Sequence, residues 1–91
     1  MLALHPALQA AEHRGRSIDG QRWRGTAYSF GTHRTYAVEI VFSGSEAEVT
    51  FPRGQRLTLL LDDERIEDLR HIAATDDASG NKFELAVDLK R

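Results

Sequence analysis

The chain has 91 residues, of which 41% are hydrophobic and 29% charged, with two prolines and no cysteine. That balance is globular and sized for one domain, outside the low-hydrophobicity regime of disordered chains, and the missing cysteines exclude disulfides and thiolate metal sites. The net charge of −2 names no partner by itself, but five Arg face only Glu12 and Asp19 in residues 1–35, while seven Lys or Arg face twelve acids in residues 36–91, so a basic front half joins an acidic back half.

Residues 6–13 read as a short helix with Pro6 in its first turn, ended by Gly15. This gives a helical appendage over 1–15 ahead of a single β-rich domain over 16–91. Asp19-Gly20 marks a turn. From Arg22 the pattern changes to period two, the signature of strands with one buried face. The first strand runs from Arg22 to Phe30, with Arg22, Arg24, Tyr28 and Phe30 on one face and Trp23 on the other. Thr35 to Ser43 places Tyr36, Val38, Ile40 and Phe42 on one face. Gly44-Ser45 has the glycine-first composition of a two-residue hairpin turn. Glu46 to Phe51 alternates Ala47, Val49 and Phe51 against Glu46, Glu48 and Thr50. Phe51-Pro52-Arg53-Gly54 suits a type I turn, and Arg56 to Leu61 aligns Leu57, Leu59 and Leu61.

Asp63 to Ala74 is expected to be helical. Asp62 or Asp63 would cap it, and Ile66, Leu69, Ile72 and Ala73 recur at helical spacing. After a polar loop over 76–81, Lys82 to Lys90 is the fifth strand, with Phe83, Leu85, Val87 and Leu89 on one side. The expected class is α+β and mainly β. About five antiparallel strands around a three-strand meander would form a partly closed barrel or a curved sheet, with one helix between strands four and five and a short N-terminal helix. This element order resembles that of SH3-like barrels, which carry a helical turn before their last strand.

A domain of this size buries only about 60–65% of the surface its unfolded chain exposes, so a deep cavity competes with stability and shallow surface sites cost less. The sequence holds no G-x-S-x-G elbow, no Gly-rich phosphate loop and no H-E-x-x-H pattern. His5, His13, His33 and His71 form no i, i+4 pair, and the 76–81 loop lacks the alternating ligands of a calcium site. His71 stands four residues after Glu67, the spacing of a contact on a helix surface. No metal, cofactor or catalytic residue is therefore expected.

Two binding readings remain. Val41 and Leu60 project from the face opposite the main apolar set. With Leu4 and Leu8 of the N-terminal helical appendage they suggest a non-enzymatic protein-interaction module, working as a homo-oligomer or an accessory subunit. The alternative is a site for single-stranded nucleic acid built from Arg22, Arg24, Tyr28, His33 and Arg34, since cations meet phosphates while flat rings stack on bases. No stretch reaches the roughly 18 apolar residues of a membrane span, and Met1 to Pro6 lacks the basic lead-in of a signal peptide. The expectation is a cytoplasmic protein with no membrane partner.

Overall fold

A computed structural model of the chain describes residues 11–88. It contains nine strands: β1 Glu12–His13, β2 Arg16–Ser17, β3 Arg22–Ser29, β4 Arg34–Ser43, β5 Glu46–Thr50, β6 Arg56–Leu61, β7 Arg65–Ile66, β8 Ile72–Asp76 and β9 Lys82–Val87. Six of them, β3-β4-β5-β6-β8-β9, close into an antiparallel barrel, and β2-β1-β7 form a small three-stranded sheet. The barrel closes where β3 pairs with β9, setting Gly25 opposite Val87 and Ala27 opposite Leu85.

Alternation decides which side chains fill the barrel. Val38, Ile40 and Phe42 of β4 point inward with Ala47 and Val49 of β5 and Leu59 and Leu61 of β6. Ile72 and Ala74 of β8 and Phe83, Leu85 and Val87 of β9 complete the filling. A closed barrel leaves no strand edge for another chain to pair with. Small inward residues on β3, Gly25 and Ala27, let β9 approach. A Cβ built on Gly25 would run into the backbone carbonyl of Ala86, so this position has no room for a side chain.

The fold is all-β, and three expectations are corrected by it. No helix forms between β6 and β9, because Asp63 and Asp68 cap turns instead: their Oδ1 atoms accept the N–H groups of Arg65 and Arg70, both at 2.9 Å. Ile66 and Leu69 are still buried, Ile66 from the short strand β7 and Leu69 from the turn after it, while Ile72 and Ala74 alternate into the barrel and Ala73 is exposed. The five-stranded, partly closed barrel with a helical turn is replaced by a closed six-stranded one, because Ile72–Asp76 supplies the extra strand between β6 and β9. For the N-terminal helix over 6–13, residues 6–10 lie outside the described residues, and Glu12–His13 is extended and pairs with β2 and β7. The last strand ends at Val87.

One end of the barrel is stoppered. Ala11, Ile18, Ile66 and Leu69 join the core from segments bound to the ends of β4 and β9. Gly20 donates to the Phe42 carbonyl at 2.8 Å, and Val87 donates to that of Leu69 at 2.7 Å. Asp19 fastens the stopper, its Oδ1 accepting the N–H groups of Ala11 and Gly44, both at 3.0 Å. Asp19→Ala is expected to cost about 1–2 kcal/mol, as charge-assisted bonds to a solvent-exposed carboxylate do. That corresponds to a fall of about 5–15 °C in Tm for a domain of this size. A melting curve unchanged by the substitution would contradict this role.

Candidate functional site

The opposite end is open. It is framed by three hairpin connections, β3–β4, β5–β6 and β8–β9, and the mouth between them encloses about 470 Å³. Tyr36, Phe51, Leu57 and Phe83 form its apolar wall, and Ser29, Gln55, Asp76 and Asn81 supply polar groups. The mouths of β-barrels are a common location for ligand sites, and this volume falls within the roughly 300–1,000 Å³ of such pockets.

The sequence places these residues here through strand parity and turn chemistry. Tyr36 is the first inward side chain of β4 to pack on the core and Leu57 the first of β6, so both stand at the rim rather than deep inside, and both are only partly buried. Phe51 follows the last residue of β5 and meets Tyr36 edge to face, ring centroids 5.3 Å apart. Ser29 ends β3 pointing inward, 3% exposed, and its hydroxyl accepts the Thr32 N–H at 3.2 Å. Asp76 ends β8 at an inward position. Its Oδ1 accepts the Ala78 N–H at 3.1 Å, and its Oδ2 accepts the Ser79 hydroxyl at 2.9 Å, which shapes the β8–β9 turn.

Five of the seven aromatic residues gather at this end: Tyr28, Phe30, Tyr36, Phe51 and Phe83, against Trp23 and Phe42 elsewhere. Phe30 is 51% exposed, and Tyr28 meets it edge to face at 4.9 Å. Three arginines stand at two of these connections, Arg34 at β3–β4 and Arg53 and Arg56 at β5–β6, and among the described residues none of them forms an ion pair. Their charge is therefore available to an anion arriving at the rim.

The proposed nucleic-acid residues divide between two regions. Tyr28, His33 and Arg34 belong to the open end, where the Tyr28 hydroxyl lies 3.2 Å from His33 Nδ1 and Arg34 is paired with Ser29. His33 holds a backbone φ of 58°, an uncommon conformation outside glycine that closes the β3–β4 turn. Arg22 and Arg24 share Tyr28's outward face, as the alternation implies, but they sit six and four residues away along β3, roughly 20 and 13 Å. Arg22 is engaged with Glu39 at 3.2 Å across the sheet. Trp23 points inward and is partly buried against the core, and its indole N–H is buried without a partner among the described residues.

The proposed protein-interaction residues are not brought together. Val41 and Leu60 both face outward, yet β5 runs between their strands with Glu48 opposite Val41 and Glu46 opposite Leu60. Leu4 and Leu8 lie outside the described residues. His71 faces Glu84 of β9 at 3.3 Å rather than Glu67, because the segment carrying them is not helical.

A second, shallower depression lies on the outer face of β9, β3, β4 and β5, about 1130 Å³ in volume. Its floor is uncharged, with Thr26 opposite both Ala37 and Ala86, and Arg24, Glu39, Arg70 and Asp88 stand around it.

Sequence reasoning missed Phe51, Arg53, Arg56, Asp76, Asn81 and Phe83 as members of one site. They come from two separate connections, β5–β6 and β8–β9, that only closure of the barrel makes neighbours of the β3–β4 turn. The available signal was the recurrence of an aromatic or an arginine beside each hairpin turn. Neither a family model, nor a curated protein, nor a solved structure matches the chain at a significant level.

Proposed function

We propose that the chain is a non-enzymatic binding module that takes single-stranded nucleic acid at the open end of its barrel. The observation that carries this reading is the meeting there of five aromatic side chains with three arginines outside any ion pair among the described residues. Flat rings stack on bases of any sequence, each such contact contributing about 1–3 kcal/mol, and guanidinium groups neutralise phosphates. Phe30 and Tyr28 on the outside of the rim extend the aromatic surface beyond the mouth, as a strand crossing the barrel end would need. Arg22 and Arg24, farther down β3, belong to a longer path rather than to the centre of the site.

Counterion release makes such binding salt-dependent. The logarithm of affinity falls linearly with the logarithm of salt concentration, with a slope of about −0.7 for each phosphate neutralised on a single strand. Arg34→Ala and Arg56→Ala are each expected to reduce that slope by about 0.7 and to weaken binding alike across sequences. Fluorescence anisotropy of a labelled mixed-sequence oligonucleotide over a salt series measures both. Binding indifferent to salt, or unchanged in both variants, would contradict the reading.

The outer-face depression favours a second reading, a protein-interaction module that self-associates or serves as an accessory subunit. Its uncharged floor at Thr26, Ala37 and Ala86, bordered by two cations and two anions, suits an electrically balanced protein surface. On that reading Ala37→Glu alters the oligomeric state measured by sedimentation and leaves oligonucleotide affinity intact.

A further inference from the structure

The polar groups of the barrel mouth are unevenly matched, and that imbalance bears on which part of a nucleotide enters it. Asp76 is an acceptor only when ionised, and each of its oxygens keeps acceptor capacity beyond the bonds from Ala78 and Ser79. Ser29, buried and lining the same mouth, accepts from Thr32 and keeps its own proton to donate. Asn81 and Gln55 both donate and accept. A phosphate going in first would face the Asp76 carboxylate. It is better placed at the rim on Arg56, which leaves the mouth to the base.

We propose that the mouth receives one base of the bound strand, edge first, and that Asp76 selects guanine. This deepens the strand-binding reading and rests on it. Guanine presents a ring N–H and an amino group side by side, two donors that match the two oxygens of a carboxylate. Adenine and cytosine offer an amino group next to an acceptor nitrogen, which the carboxylate repels. Uracil and thymine offer one N–H between two carbonyl oxygens. Paired charge-assisted hydrogen bonds are stronger than neutral ones and carry geometric selectivity. The ring itself would lie against the Tyr36, Phe51 and Phe83 wall. A well-formed bidentate base contact discriminates by about 1–3 kcal/mol, which is tenfold or more near the middle of that range.

The test uses the full chain, isotope-labelled, titrated at low salt with each of the four nucleoside monophosphates and separately with a mixed-sequence single strand. The expected result is that the guanosine nucleotide shifts the amide signals of Ser29, Asp76, Asn81 and Phe83. It should bind about tenfold or more tighter than the other three, and Asp76→Asn should abolish the difference. If Asp76→Asn does not fold, the wild-type series alone decides. Equal affinity for all four nucleotides at the mouth overturns the selection. A strand that shifts Phe30, Arg34 and Arg56 while no mononucleotide moves the mouth overturns the insertion and leaves strand binding standing. No response to either the strand or the nucleotides overturns both.

Discussion

Gly25→Ala is expected to cost about 3 kcal/mol or more and to lower Tm by about 12 °C or more, or to prevent folding. The added Cβ would run into the carbonyl group of Ala86, which is backbone and sits in the β3–β9 ladder between the pairs Gly25↔Val87 and Ala27↔Leu85. The other neighbour, Ile40 Cδ1 at 3.2 Å, is the end of a side chain and can give way. Backbone can move only by parting β3 from β9, and that seam is what closes the barrel. Overpacking a core costs about 1–3 kcal/mol when side chains can adjust. Here the obstacle is main chain, so the expected cost lies at or above the top of that range. Each kcal/mol corresponds to about 4–8 °C in a domain of this length. Gly15→Ala serves as the control, since nothing lies within 4 Å of the Cβ position there and only its φ of 78° is unfavourable. Its cost should be about 1 kcal/mol. Equal and small effects in thermal melts of the two variants would contradict the close approach of β9.

The second large effect is expected from Phe42→Ala. Phe42 is fully buried near the end of β4, among the largest side chains that the barrel encloses completely. Truncating a buried Phe typically costs about 3–5 kcal/mol, combining lost transfer energy with an unfilled cavity. The loss here should reach the upper part of that range. The Phe42 backbone also carries the stopper, accepting from Gly20 and bridging to Asp19, so disturbance at this position spreads to Ala11 and Ile18. Against a total stability of about 5–15 kcal/mol, with small domains at the low end, the variant is expected to populate unfolded chains at 37 °C. Urea denaturation measures the difference, and a loss below about 1 kcal/mol would show that the core tolerates the cavity.

The meander was legible because its signals agree. In β4, β5 and β6 the alternation is regular, the side chains favour strands, and the connections carry turn residues: Gly44 at φ 62° and Gly54 at φ 89° occupy conformations that glycine adopts freely. The outward placement of Arg22, Arg24 and Tyr28 followed from the same period. The segment from Asp63 to Ala74 misled because its apolar spacing fits a helix while its acids serve two Asx-type turns, a local hydrogen-bonding alternative to helix that composition does not distinguish. In β8 the run Ile72-Ala73-Ala74-Thr75 blurs alternation, since alanine is acceptable on either face. Only pairing with β6 and β9 makes it a strand, and pairing over such sequence distances is tertiary information.

The site was less legible than the fold for the same reason. Tyr28, His33 and Arg34 were visible as one stretch of basic and aromatic residues, whereas their partners at the open end arrive from β5, β6, β8 and β9. Val41 and Leu60 looked like one apolar surface because both face outward. Sequence parity gives the face of a sheet but not the position across it, and the glutamates of β5 lie between them.

Whether the ligand is taken at the open end of the barrel is decided by mapping amide shifts on the full chain during titration with a mixed-sequence single strand, at low and at physiological salt. The predicted result is a set of shifts at Phe30, Arg34, Tyr36, Phe51, Arg56 and Phe83 that weaken as salt rises, with Ala11, Ile18 and Leu69 at the stoppered end unmoved. Shifts centred on Arg22, Arg24 and Ala37 with a silent open end, or no shifts at either salt, would contradict it.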